Sequence, residues 1–382
     1  MTPVATPIDI RPLTSLRFLA ALWVVVYLMW PNLAVGGMPA LAAPALVAKG
    51  YLGVELFFVL SGFILSHVYL HAFAGKRFSY RGFLWARIAR VYPLHLFTLL
   101  GVMALGLAAV AVGLSIDASI LSWKSLPAHL LMLHAWGFAT EAGWNHPSWS
   151  ISAEWFAYLA FPLFALAAWP LRKRPWVAAA GAAVFLMGLY AAFERLAGFP
   201  LTEATFRWGA LRIVPCFAYG CALYLVYRRA PLPRAGLLAA SAAVVMVASA
   251  SVLAWDAVTV LAAGLLILAL ASIPDGKAGW LGSRPAVYLG EISYSVYMVC
   301  APWQILAVNL AARATGAEDK RLHVLVWLGI ILGLIVAAAA TYHLIERPAR
   351  KALRGMAERR RPPVDHKAKQ SETVLQPSDT IV

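Results

Sequence analysis

The chain has 382 residues, 62% of them hydrophobic and 13% charged, with a net charge of +15 and a mean hydropathy of +0.74. A soluble domain carries about a quarter charged residues, so the composition excludes one and predicts an all-α, polytopic membrane helical bundle. The positive charge does not call for nucleic acid, since no soluble segment interleaves basic residues with aromatics; in a membrane protein Lys and Arg gather in cytoplasmic loops.

A membrane span needs about 20 mainly apolar residues. Such segments lie near 13–33, 51–73, 91–114, 148–169, 175–194, 208–228, 234–252, 255–273, 286–311 and 322–345, which makes about ten transmembrane helices. The first is too long for a signal-peptide core and lacks a small-residue cleavage site. The stretch 125–138 (SLPAHLLMLHAWGF) is too short and carries two His, so it reads as an interfacial or re-entrant piece. The run RFSYRGFLWARIARVYP (77–93) reads as a basic amphipathic helix. It is either held by anionic lipid or a docking surface for a polyanionic ligand, because Arg matches phosphate geometry. The basic stretch 347–361 is placed to touch anionic lipid. Beyond about 358 the chain is polar and Pro-containing, and disorder is expected there. The division is thus a membrane domain over 1–354 and a basic cytoplasmic tail over 355–382.

Charge tests this count. Segments on the side of the N-terminus hold 23 of the 32 Lys and Arg, the opposite side holds 7, and Arg17 and Arg212 fall inside spans. The positive-inside rule then places both termini in the cytoplasm. Cys216, Cys221 and Cys300 lie in apolar stretches; they form neither a disulfide framework nor a zinc site, and no metal is expected.

An ionisable side chain inside a span is a functional hypothesis by default. The candidates are Arg17, Glu55, His67, Arg87, Arg90, His95, Glu154, Arg212, Glu291, His343 and Glu346, with snorkelling the alternative near span ends. His67, His95 and His343 are expected toward the inner face, His134 and His146 toward the outer. Glu154, in HPSWSISAEW with Ser148 and Ser152 nearby, is either half of a buried pair or faces a substrate. Glu291, with Ser293, Tyr294, Ser295 and Tyr297, is either an interfacial anchor or part of a site.

Six segments in order, RPLTSLRFLAALWVVVYLMWPN, YLGVELFFVLSGFIL, FLWARIARVYPLHL, WNHPSWSISAEWFAY, LGEISYSVYMV and ERPARKAL, resemble the signatures of the membrane-bound acyltransferase-3 family over about residues 11–354. The resemblance implies an O-acyltransferase in the bacterial inner (cell) membrane. Such a protein moves an acyl group, commonly acetyl, from cytoplasmic acyl-coenzyme A to a hydroxyl of a carbohydrate or lipid-linked glycan. Acetyl-coenzyme A or another acyl-coenzyme A is then a co-substrate, with no tightly bound cofactor. The implied roles are donor or base positioning for Arg17, acceptor or base orientation for Glu154, and donor binding for Arg17, Arg87, Arg90 and Tyr92.

The chain departs from the family at position 28. The family pattern is an Arg followed eleven positions later by a His thought to be the catalytic base; here Arg17 is followed by Leu28, which cannot accept a proton. Leu28 is either a change introduced to hold a ligand-bound state, favoured by the intact surroundings, or a natural loss or alteration of catalysis. Alternatively, another residue such as Glu154 or Tyr27 shares the work. Cys300 stands where many relatives have a His, and burial makes an inert core thiol the expectation. Two rivals follow from Leu28: a non-catalytic transporter or flippase of a polar or lipid-linked solute, and a membrane scaffold that binds acyl-coenzyme A without turnover.

Overall fold

Caps and breakers set the helix boundaries. Pro12 sits in the first turn of α1 (Arg11–Met29). After α2 (Ala45–Ala48) and α3 (Gly53–Ala74), the Ser79 hydroxyl caps α4 (Tyr80–Ala111) by accepting from the Gly82 amide at 3.2 Å. Next come the short α5 (Leu126–Leu130), α6 (Trp149–Ala168) and α7 (Pro175–Ala197), which ends at Gly198 in the left-handed region. Helices α8 (Gly209–Arg229), α9 (Ala235–Ser251) and α10 (Asp256–Ala271) precede α11 (Arg284–Thr315), which Ser283 caps. Helix α12 (Val324–Thr341) passes through a π turn (Tyr342–Glu346) into the amphipathic α13 (Arg347–Arg359). This computed structural model describes residues 9–359 apart from 36–37, 40–42, 114–116, 118, 140 and 275.

Each expected span has a helix. Among the described residues, eight helices are long and apolar enough to cross a membrane, while α9 and α10 fall short at 17 and 16 residues. The chain is a multi-pass, all-α membrane protein. Among the described residues, β1 (Leu33–Val35), β2 (Met38–Pro39) and β3 (Leu322–His323) form one small sheet ordered β2-β1-β3. Asp9, Arg11, Tyr227, Pro231, Ser272 and Ser283 meet around one recess. Lys49, Tyr190, Thr202 and Asp256 meet around another.

The run 77–93 is corrected. It does not form a separate surface helix, because α4 begins at Tyr80 and continues unbroken for 32 residues. Arg87 and Arg90 therefore lie about 10 to 15 Å along one long helix that also carries the apolar span. The stretch 125–138 is not a span, as expected; it folds into short turns with His129 and His134 fully buried. Helix α13 continues past the expected domain boundary at 355; the tail from 360 lies outside the described residues.

Close backbone contact fixes the helices around the site. A Cβ at Gly220 of α8 would collide with the Val59 carbonyl oxygen of α3, and one at Gly290 of α11 would collide with the Thr14 carbonyl oxygen of α1. Between helices in lipid, small residues supply this packing where a hydrophobic driving force is absent. Helix α1 is thereby held against α11 one turn before Arg17.

Candidate active site

One cavity of about 160 Å³ opens between α1, α3, α4, α6 and α11. Helical periodicity explains which side chains reach it. Ser150, Glu154 and Tyr158 follow at intervals of four on α6, Arg87, Arg90 and Val91 share a face of α4, and Tyr294 and Tyr297 share a face of α11. Arg17 enters from α1, and Ser61 enters from α3 among Val54, Phe57, Phe58, Ile64 and Leu65.

The polar groups are unequally committed. The Ser61 hydroxyl donates to Glu154 Oε1 at 2.8 Å. Arg90 Nη1 is ion-paired with Glu346 Oε1, and its guanidinium lies 5.5 Å from the centre of the Tyr294 ring. Glu346, 1% exposed, also accepts from Ser295 Oγ at 2.8 Å. Arg87 reaches only the Tyr69 hydroxyl, at 3.5 Å, and lies 5.7 and 5.8 Å from the Tyr69 and Tyr158 ring centres. The Arg87 Nε is buried and unpartnered. Arg17 has no hydrogen bond or ion pair among the described residues. Three guanidiniums thus face two carboxylates, Glu154 and Glu346, which leaves positive charge over in a low-dielectric cavity. An anionic ligand group is favoured there.

Of the residues singled out in the sequence, Arg17, Arg87, Arg90 and Glu154 come together around this cavity. Leu28 and Tyr92 are not among its lining residues. Leu28 lies about 16 Å along α1 from Arg17, where Gln304 Nε2 donates to its carbonyl oxygen at 3.2 Å. The Tyr92 ring packs beside His95 at 6.1 Å.

Ser61, Ser150 and Tyr158 were missed as site residues, and Glu346, singled out as an intramembrane charge, reaches the site through Arg90. The 150–154–158 spacing carried the signal for two of them, since Ser148 and Ser152 point elsewhere. Ser152 Oγ donates to the Met132 carbonyl oxygen at 2.7 Å, and Ser148 Oγ bonds His134 Nε2 at 3.1 Å. Ser293, Tyr294, Ser295 and Tyr297 at the start of α11 are buried in the protein interior, whereas Glu291 is exposed and accepts from the Tyr342 hydroxyl at 3.3 Å. Tyr294 donates to the Val91 carbonyl oxygen at 2.7 Å, and Tyr297 to that of Pro147 at 3.0 Å.

Glu55 and Arg212 do not line this cavity. They form a buried pair, with Nη2 to Oε2 at 2.9 Å. His95 and His134, expected at opposite faces, are brought together: His95 stacks on His134 at 5.9 Å, and His134 stacks on His129 at 4.1 Å, beside the 125–138 segment. Burial holds the imidazoles of His129 and His134 below their ordinary pKa, His134 further because His129 and His95 crowd it. Cys300 is fully buried in the core.

The chain matches the family described as "Acyltransferase domain" over residues 12–345. It is 30% identical to "Acyltransferase MdmB" of Streptomyces mycarofaciens, over 92% of this chain and 93% of that protein. It is 48% identical to "Protein 2 in picA locus" of Rhizobium radiobacter over 58 residues, which is 14% of this chain and 27% of that protein. No solved structure matches.

Proposed function

The chain belongs to the acyltransferase-3 family and is a membrane acyltransferase, and from that premise we propose that the cavity transfers an acyl group, commonly acetyl, from acyl-coenzyme A to a hydroxyl of a carbohydrate or lipid-linked glycan. The observation that carries the proposal is the convergence of Arg17, Arg87 and Arg90 with Glu154 on one cavity. The cation-rich end faces the cytoplasm of a bacterial cell, where the donor is made, by the positive-inside rule.

Arg87 and the uncommitted Arg17 bind donor anionic groups or the developing oxyanion, where a fixed cation stabilises charge that forms in the transition state. Arg90 contributes through the N–H groups that Glu346 leaves free. The apolar side chains of Phe57, Phe58 and Leu65 exclude water from the thioester.

Glu154 serves as the base in place of position 28, since it is the carboxylate among the cavity-lining residues and Ser61 fixes its orientation. The acceptor oxygen bonds to the thioester carbon as its proton passes to Glu154. The carbon–sulfur bond then breaks, and the proton passes on to the departing thiolate. The products are an O-acyl ester and free coenzyme A thiol.

The test is transfer of labelled acetyl from acetyl-coenzyme A to a glycan pool by purified protein in proteoliposomes. Labelled glycan formed in step with thiol release is expected, with Arg87→Gln raising the KM for acetyl-coenzyme A. Thiol release with no labelled acceptor, or no binding of acetyl-coenzyme A, would overturn the proposal.

A further inference from the structure

Away from the cavity, Arg172, Lys173, Arg228 and Arg229 surround a recess of about 540 Å³ where the turn after α6 meets the end of α8. The Trp169 indole holds two of these cations, with the Arg172 guanidinium 4.7 Å and that of Arg228 5.0 Å from its ring centre. Backbone carbonyls orient two of them: Arg172 Nη1 donates to that of Trp169 at 3.0 Å and Arg229 Nη1 to that of Lys173 at 3.1 Å. No carboxylate lines the recess, and none of the four cations is ion-paired among the described residues.

Topology accounts for cations at this end of the bundle, and the last-turn Arg228 and Arg229 also offset the α8 dipole. Neither effect explains two guanidiniums on one indole around a recess without a counter-charge. The neighbouring surface is apolar, with Leu163 68%, Leu166 59% and Trp176 58% exposed on α6 and α7. Such surface beside a cationic recess at a helix end matches a molecule with a phosphate head and acyl chains.

We propose that this recess binds the phosphate of an anionic glycerophospholipid, whose chains lie along α6 and α7. Arg172 and Arg228, pre-set by Trp169, grip the phosphate oxygens, and Lys173 and Arg229 supply the surrounding positive field.

The protein is reconstituted in phosphatidylcholine nanodiscs containing a titrated fraction of phosphatidylglycerol, and retained lipid is counted by native mass spectrometry. Wild type is expected to retain phosphatidylglycerol in preference to phosphatidylcholine. Arg172→Gln/Arg228→Gln is expected to weaken retention about thirtyfold, and Arg313→Gln/Lys320→Gln, which removes two charges at the other set of loops, to leave it unchanged. Arg172→Lys/Arg228→Lys reports on folding and is expected to keep part of the preference. Equal retention by wild type and the Gln pair, or an equal loss in the distant control, would overturn the proposal. So would soluble pyrophosphate stabilising the protein in pure phosphatidylcholine as well as phosphatidylglycerol does, which would identify a free-anion site.

Discussion

Replacing Glu55 with Gln removes the counter-charge of a guanidinium that is itself 2% exposed. Arg212 now donates Nε to Glu55 Oε1 at 2.5 Å, Nη2 to Oε2 at 2.9 Å and Nη1 to the Ala204 carbonyl oxygen at 2.8 Å, and lies 4.5 Å from the Trp149 ring centre. In Glu55→Gln only the last two contacts keep their strength. An uncompensated buried charge costs about 3–5 kcal/mol, and the remaining cation–π contact offsets about 2 kcal/mol of desolvation at most. Removing both charges in Glu55→Gln/Arg212→Met is expected to cost far less than the sum of the singles. The coupling energy is about 3 kcal/mol. Unfolding in mixed micelles, followed by Trp fluorescence on the wild type, both singles and the double, measures it. Singles that add to the double within about 0.5 kcal/mol would refute a strongly coupled pair.

Glu346→Gln should lower stability by about 1–3 kcal/mol and reduce kcat/KM, with the loss in Arg90→Ala/Glu346→Ala smaller than the sum of the singles; thermal unfolding and turnover check both. A Gly220→Ala change should destabilise by about 1–3 kcal/mol, because the added Cβ meets the Val59 backbone, and thermal unfolding would show it. His129 and His134 are held below 6.5 by burial, so the unfolded chain takes up more protons than the folded one below that pH. Their contribution is complete above pH 6.5 and declines as pH falls toward the depressed folded values. Melting temperature should therefore fall between pH 7 and pH 5, and His134→Gln should flatten the fall.

Much of the fold was legible because spans announce themselves by length and apolarity. All ten expected segments became helices, although α9 and α10 are too short to cross by length alone. Amphipathicity misled at 77–93: the same alternation of Arg with Phe, Trp and Ile that suits a membrane surface also suits a transmembrane helix with one face on a polar cavity. Four candidate residues, Arg17, Arg87, Arg90 and Glu154, converged because a charge inside a bilayer needs a partner or a cavity. Glu346 was seen as a buried charge, but its partner Arg90 lies 256 residues away on another helix, a distance no local pattern reports. The same holds for the stack of His95 on His134, which helix positions alone had placed at opposite faces.

The most direct measurement is thiol release from acetyl-coenzyme A, with a glycan acceptor present, by wild type, Glu154→Gln and Leu28→His. Glu154 as the base predicts turnover by wild type and a fall of about 10²–10⁴ in Glu154→Gln with acetyl-coenzyme A binding retained. Turnover by Leu28→His alone, with the wild type silent, would place the base at position 28 and contradict that assignment.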